Sequence, residues 1–297
     1  MIEKVFLFWH VPYLEVRRSV ISGIYTATIG SFPLKDSARN RERCIRDLID
    51  LGIDFPNYPQ LIEMGEQFLN DLVREDCGIG RDGQKYTLQG EIEKPKKPPG
   101  IEPILWTSDY IKRMGLAGKI RLKASITGPF TLASYIRVKA GVFPFNTAIS
   151  EIDVVEALAE IVSMSCRAVR DYYPVIAIDE PMLGIIVGVR IPFNYGGDEI
   201  VKIYNAIRES CGENLTGTHI CGRISPKLAR ILLKTNLDFL SHEFYGTPEN
   251  FRVYKPEEVR ESGKILSIGC LSSINPKIET VEEILKVMEA SVEYGET

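Results

Sequence analysis

Histidine is scarce in this chain, three in 297 residues, and basic residues are outnumbered by acidic ones, 36 against 40. A net charge of −4 and an isoelectric point near 5.6, with no basic run interleaved with aromatics, remove the electrostatic footprint of a nucleic-acid-binding protein. Long hydrophobic runs are missing as well. The apolar stretch Val5-Phe6-Leu7-Phe8-Trp9 is too short to span a bilayer, and it lacks the charged start, extended apolar region and small-residue cleavage site of a secretory signal. The chain therefore reads as cytoplasmic, with neither a membrane nor a nucleic acid as partner. Closely spaced cysteine pairs are also absent. Cys44, Cys77, Cys166, Cys211, Cys221 and Cys270 are scattered, which argues against a disulfide framework and for reduced packing residues or ligands. What is present is apolar content, 44%, enough to bury a large core as one α/β barrel or two medium domains.

Short β-rich runs alternate with longer segments of helical period, the pattern of a parallel sheet with crossover helices. The strand runs are 26–31, 54–58, 122–128, 175–181, 215–221, 238–244 and 265–271. Between them, 152–171 places Val155, Leu158, Ile161, Val162 and Cys166 at near-helical spacing. The stretch 199–210 is a second such segment, and 279–293 aligns Val281, Ile284, Leu285, Val287 and Met288 on one side. Seven strands without a repeat or a linker predict an α/β fold of the (β/α)8 TIM-barrel type, as a single catalytic domain over 1–297. Residues 1–25 are read as an N-terminal extension and 82–103 as a long loop insertion, where Lys94-Pro95-Lys96-Lys97-Pro98-Pro99-Gly100 removes backbone donors and breaks helices. That insertion is either a solvated surface loop or a lid over the barrel mouth.

Chemistry in such a barrel gathers at the C-terminal strand ends. Thr218-His219-Ile220-Cys221-Gly222 ends one run and Glu243 lies at the end of the next. Residues i and i+2 on a strand share a face, so His219 and Cys221 are presented together, and imidazole, thiolate and carboxylate are ligands that zinc takes. The competing reading is an ordinary buried cysteine beside a satisfied histidine. Ile29-Gly30-Ser31 ends the first run, where glycine lets a ligand approach backbone N–H groups closely; a plain turn before Phe32-Pro33 is the alternative. In Ile178-Asp179-Glu180-Pro181, alternation puts Asp179 inside with Ala177, and Glu180 outside, where it is left to cap a turn. In 238–244, Ser241 and Glu243 face the mouth while Leu240, His242 and Phe244 face the helices. His242 is thus read as a helix-side histidine bonded to a backbone carbonyl, and His10 is treated in the same way.

Taken in order, these residues resemble the catalytic barrel of cobalamin-independent methionine synthase in its short archaeal-type form. That family lies within the larger group that includes uroporphyrinogen decarboxylase and the methylcobalamin:coenzyme M methyltransferases. Thr28-Ile29-Gly30-Ser31-Phe32-Pro33 looks like the family's opening strand, and Gly65-Glu66 followed by Asp71-Leu72-Val73 like its glycine–glutamate helix motif. Thr127-Gly128-Pro129 looks like its third strand end, Ile178-Asp179-Glu180-Pro181 like its acidic strand, His219-x-Cys221 like its zinc pair and Glu243 like its zinc glutamate. The resemblance implies zinc held by His219, Cys221 and Glu243 and activating the thiol of homocysteine. It also implies that Ile29, Gly30 and Ser31 hold the substrate carboxylate, and Glu66 and Asp179 its ammonium. A thiol of ordinary pKa, about 8.5, is only a few per cent ionised at neutral pH, and zinc deprotonates it while presenting the sulfur as a nucleophile. The implied methyl donor is methylcobalamin, a methylated corrinoid protein or methyltetrahydrofolate.

The family's eighth-strand motif, Asn-Pro-Asp-Cys-Gly-Leu, carries its second zinc cysteine and does not occur before Thr297. The eighth unit of the barrel is accordingly expected to be incomplete or truncated, with the run 3–9 filling the gap. Cys270, in Ile268-Gly269-Cys270-Leu271, resembles the Gly-Cys of the coenzyme M enzymes as a fourth ligand; its alternative is a buried strand thiol. Two other functions compete. A uroporphyrinogen-decarboxylase-like lyase needs clustered arginines for a substrate with many carboxylates, and Arg17, Arg18, Arg39, Arg41 and Arg43 instead read as solvated helix faces. An accessory barrel with an incomplete zinc site, working only with a partner, is the other.

Overall fold

The computed structural model describes residues 5–9, 24–272 and 278–296, so His10, Arg17 and Arg18 lie outside the described residues. Strands β1 (Val5–Trp9) and β2 (Tyr25–Thr28) lead into helices α1 (Ala38–Asp50) and α2 (Met64–Arg74). The hairpin β3 (Ile79–Asp82) and β4 (Lys85–Leu88) precedes α3 (Glu102–Arg113), β5 (Lys123–Thr127), α4 (Pro129–Tyr135) and β6 (Ile136–Arg137). Strand and helix then alternate through α5 (Ile152–Val169), β7 (Val175–Asp179), α6 (Pro181–Ile186), α7 (Gly197–Ser210), β8 (Leu215–Ile220) and α8 (Pro226–Leu233). The chain continues with β9 (Phe239–Glu243), α9 (Pro256–Ser262), β10 (Ile265–Gly269) and α10 (Val281–Glu296).

Seven strands hydrogen-bond in the order β2-β1-β10-β9-β8-β7-β5, and each pairing from β10 to β5 is parallel. Residues 54–60 link the two edges through parallel bridges, Phe55 and Gln60 to Ala27 and Ser31, and Asn57 to Lys123. No continuous ladder forms there because Pro56 and Pro59 have no N–H to donate, and Asn57 N turns instead to the Thr28 hydroxyl at 3.1 Å. The remaining wall position belongs to β1, antiparallel to both neighbours, with Leu7 opposite Ile268 on β10 and opposite Thr26 on β2. Of the run 3–9 expected to fill the gap, residues 5–9 do so, against the direction of the other wall strands, and residues 3 and 4 lie outside the described residues.

Alternation along the strands sorts the wall residues into two cores. Outward-facing Ile126, Ile176, Ile178, Ile220, Leu240 and Ile268 pack under the helices, where α5 buries Val155, Leu158, Ile161, Val162 and Cys166 as their spacing predicts. Inward, Ala27, Phe55, Val175, Ala177 and Phe239 form a separate cluster with Tyr25, Ile29, Leu215 and Ile265 around it. Val175, Leu215, Phe239 and Ile265 open their strands, so this cluster is a floor at the N-terminal end of the barrel. Burying each large side chain there contributes about 1.5–3 kcal/mol. Gly217 makes room for it, since a Cβ would lie 2.2 Å from Phe239 O and 2.4 Å from the ring. Two Asp-Phe pairs use the same device: Asp54 Oδ2 accepts from Thr26 N and Asp238 Oδ2 from Thr216 N, both at 2.8 Å, while Phe55 and Phe239 turn inward.

The 82–103 stretch contains the end of β3, all of β4 and the start of α3, and β4 pairs in parallel with β6. Its proline-rich part is a strap over α2 and α5. Gln67 Nε2 donates to Gly100 O at 2.6 Å, Gly100 N donates to Asp71 Oδ2 at 2.9 Å, and Ser165 Oγ donates to Pro99 O at 2.9 Å. Prolines leave few donors to satisfy, and helix side chains meet the carbonyls that remain.

Candidate active site

Strand register lays one row of polar side chains across the inside of the barrel near its C-terminal end. Thr127 on β5 stands opposite Asp179 on β7, Asp179 opposite His219 on β8, His219 opposite Ser241 on β9, and Ser241 opposite Ser267 on β10. All five are buried, and they lie above the apolar floor. His219 Nδ1 is 3.1 Å from Ser241 Oγ. Thr127 Oγ1 donates to Met64 O at 2.9 Å, which brings the start of α2, two residues before Glu66, onto this rim.

Asp179 Oδ1 and Ser267 Oγ are buried without a hydrogen-bond partner among the described residues. Burial pushes the Asp179 carboxyl up to about 7, against the opposing pull of Lys123 and Ser125. Lys123 Nζ donates to Thr28 O at 2.8 Å and to Ser125 Oγ at 3.1 Å, and Ser125 Oγ donates to Ile29 O at 3.1 Å. The pair that steadies Asp179 thus also anchors the loop carrying Ile29, Gly30 and Ser31. Gly30 sits at φ +112°, and a Cβ there would fall 1.9 Å from Asn57 Nδ2, so only glycine fits. Its carbonyl accepts from Gln60 N at 2.6 Å, while Ser31 is exposed.

Cys221 directly follows β8 and Glu243 ends β9, and both are half-buried. The Glu243 carboxylate reaches the turn after β9, where a Cβ on Gly246 would meet Oε1 at 2.4 Å. Asn250, which sequence reasoning missed, is fully buried and ties the loop after Cys221 to the Glu243 backbone. By donor chemistry and strand placement, His219, Cys221 and Glu243 fit zinc. The Nδ1 contact with Ser241 is of the kind that orients a metal-bound imidazole. Among the described residues, no three or more His, Cys, Asp or Glu form a group that could hold a metal ion. Cys270 follows β10 as a buried thiol, pushed up to about 11 by burial, with Glu279 adding to the shift.

Glu66 already has a cation, its Oε1 lying 3.0 Å from Arg81 Nη2. Glu180 takes the capping role, on a neighbouring helix rather than on its own turn. Its carboxylate accepts from Phe130 N at 2.9 Å, Thr131 N at 2.7 Å and Thr131 Oγ1 at 2.6 Å at the start of α4. Burial still pushes it up to about 8. His242 faces the helices, its Nδ1 3.1 Å from Ile220 O and its Nε2 2.8 Å from Tyr254 OH, and burial pushes it down to about 4. Arg41 corrects a sequence expectation. It is buried, not on a solvated face, with Nε 2.6 Å from Asp36 Oδ1 and Nη1 2.8 Å from Glu102 Oε2. An arginine held by two carboxylates is not offered to a polycarboxylate substrate.

No protein-family model matches the chain. A methionine synthase of Methanocaldococcus jannaschii is 28% identical over 254 residues, which cover 85% of this chain and 73% of that protein. The chain is a methionine synthase homologue. A solved structure, that of a B12-independent methionine synthase from Shewanella sp. W3-18-1 in complex with selenomethionine, matches with a TM-score of 0.60 at 16% identity. The match covers 86% of this chain and 75% of that one, and it shows the shared barrel fold. No helix among the described residues is long and apolar enough to cross a membrane.

Proposed function

We propose that this protein is a cytoplasmic, zinc-dependent methyltransferase that moves a methyl group to the thiol of homocysteine, giving methionine. Homology to methionine synthase supports the methyltransferase class and a role in methionine synthesis. The observation that carries the finer reading is the polar row on adjacent strands, with His219 held by Ser241 and with Cys221 and Glu243 at the ends of the same two strands.

His219, Cys221 and Glu243 would hold the zinc, with Cys270 as the fourth ligand; when bound, the metal lowers the pKa of a substrate thiol and presents its sulfur as a nucleophile. The chain's own residues orient the amino acid. Asp179, buried with an open acceptor, receives its ammonium, and a cation there offsets the desolvation that holds the carboxyl up to about 7. Glu66 exchanges Arg81 for the same ammonium, and the backbone around Ile29, Gly30 and Ser31 holds the carboxylate. The methyl donor, whether methylcobalamin, a methylated corrinoid protein or methyltetrahydrofolate, approaches from the C-terminal mouth.

Zinc content and methionine formation with each donor in turn test this reading. The expected result is about one zinc per chain, lost in His219→Ala and Cys221→Ala, with transfer from at least one donor. Cys270→Ala decides the fourth ligand. A metal-free wild-type protein overturns the zinc reading, and a zinc-loaded protein inert with every donor replaces it with a partner-dependent accessory barrel.

A further inference from the structure

Asn250 carries no charge and lies beyond β9, yet its side chain is fully buried and makes three hydrogen bonds. Nδ2 donates to Gly222 O at 3.0 Å and to Glu243 O at 2.6 Å, and Oδ1 accepts from Ile224 N at 2.9 Å. Its partners lie on two segments. Gly222 and Ile224 belong to the turn that begins at Cys221, and Glu243 is the last residue of β9.

The β8–β9 ladder runs out where Ile220 faces His242, one position short of both Cys221 and Glu243. Beyond that level no strand pairing fixes one segment against the other, and the Asn250 amide takes over. A primary amide is suited to this, because one planar group offers two donor hydrogens and an acceptor. Aspartate lacks the donors, and alanine leaves three backbone groups without this partner, each costly when buried. Packing of Phe251 against Phe244, with ring centroids 4.5 Å apart, pins the neighbouring backbone.

We propose that Asn250 is a positioning residue that sets the spacing between Cys221 and Glu243 as zinc ligands; this rests on the zinc reading above. A second amide provides the control. Asn214 Nδ2 bridges Arg170 O at 2.5 Å and Tyr173 O at 2.8 Å at the opposite end of the barrel, before β8. The two asparagines therefore do similar structural work, and only one of them adjoins the candidate ligands.

The experiment measures zinc affinity by chelator competition and the visible spectrum of the cobalt(II)-loaded protein, on the full chain, for wild type, Asn250→Ala, Asn250→Asp and Asn214→Ala. Circular dichroism and melting confirm folding. Asn250→Ala and Asn250→Asp are expected to bind zinc about 10- to 100-fold more weakly, the range for groups that orient metal ligands, and to shift the cobalt–thiolate absorption. Asn214→Ala should melt earlier but bind zinc as wild type does. If Asn250→Ala does not fold, Asn250→Asp, which keeps the acceptor for Ile224 N, carries the test. Wild-type affinity and spectrum in the folded Asn250 variants sink the positioning role while leaving the zinc reading intact, and an equal loss in Asn214→Ala shows the effect to be general destabilisation. A wild-type protein that binds no zinc removes both.

Discussion

The two ends of the barrel bury polar groups by opposite rules. Around the floor, Asp238 accepts from Thr216 N at 2.8 Å and lies 3.1 Å from Arg208 Nη2, while Lys264 Nζ donates to Thr235 O at 2.5 Å and Leu237 O at 2.7 Å. Two atoms there, Arg208 Nε and Asn57 Oδ1, lack a partner among the described residues, but the Arg208 guanidinium is engaged through Nη1 and Nη2, and the Asn57 amide donates through Nδ2 to Tyr58 O at 2.8 Å. In the upper row Asp179 Oδ1 and Ser267 Oγ meet no hydrogen-bond partner among the described residues. Buried charge alone does not mark a site, whereas an unmet buried acceptor in a polar row does. The adjacent carboxyls Asp179 and Glu180 make the same point one residue apart. Both are buried and pushed upward, yet Glu180 is met by three donors and serves the start of α4, while Asp179 keeps an acceptor open.

The strongest way to break this comparison is at the floor. Phe239→Ala should cost about 3–5 kcal/mol in urea unfolding and leave the zinc affinity of the remaining folded protein unchanged; a matching loss of metal would mean that the two ends are not separable. Asp179→Asn is expected to weaken homocysteine binding about 10- to 100-fold, as loss of a hydrogen bond to a charged group does, without lowering the melting temperature. Calorimetric titration that finds wild-type affinity would remove Asp179 from the substrate site.

Glu180 sharpens the contrast through pH. Its folded pKa of about 8 against an ordinary 4.5 means that the fold holds a proton which the unfolded chain has released. The group's contribution is fully present below pH 4.5 and is lost as pH rises towards 8, at a slope of at most about 1.4 kcal/mol per pH unit. His242, pushed down to about 4, acts in the opposite sense, but only below its ordinary 6.5. Glu180→Gln should therefore flatten the fall in urea midpoint between about pH 6.5 and 8, and an unchanged slope would count against a protonated Glu180. The smallest effect is expected from Ser267→Ala, which removes an unpartnered buried hydroxyl and should raise stability by about 1 kcal/mol. A destabilised variant would show that the hydroxyl is satisfied in solution.

Much of the barrel was legible because its signals are local. The burial of Val155, Leu158, Ile161 and Val162 on α5 follows from helical spacing, and Glu180 and His242 take the outward face that alternation assigns them. Seven β-rich runs were visible, although the second became a set of bridges because Pro56 within it and Pro59 just after it interrupt the ladder. Other features had no local signal. Nothing around Arg41 foretells its two carboxylate partners, one of them on α3, and nothing in Thr247-Pro248-Glu249-Asn250 foretells an amide that joins two strand ends. Both depend on contacts between segments distant along the chain.

The sequence by itself determined which way each wall residue faces, since side chains on a strand alternate with period two whatever the strand's neighbours. That was enough to put Asp179, His219, Ser241 and Glu243 inside and His242 outside. Only the tertiary structure decided which of them share a level. Register between strands is set by hydrogen bonds across the wall, and it put Asp179, His219, Ser241 and Ser267 in one row, Cys221 and Glu243 past the end of the β8–β9 ladder, and β1 in the antiparallel place that completes the wall.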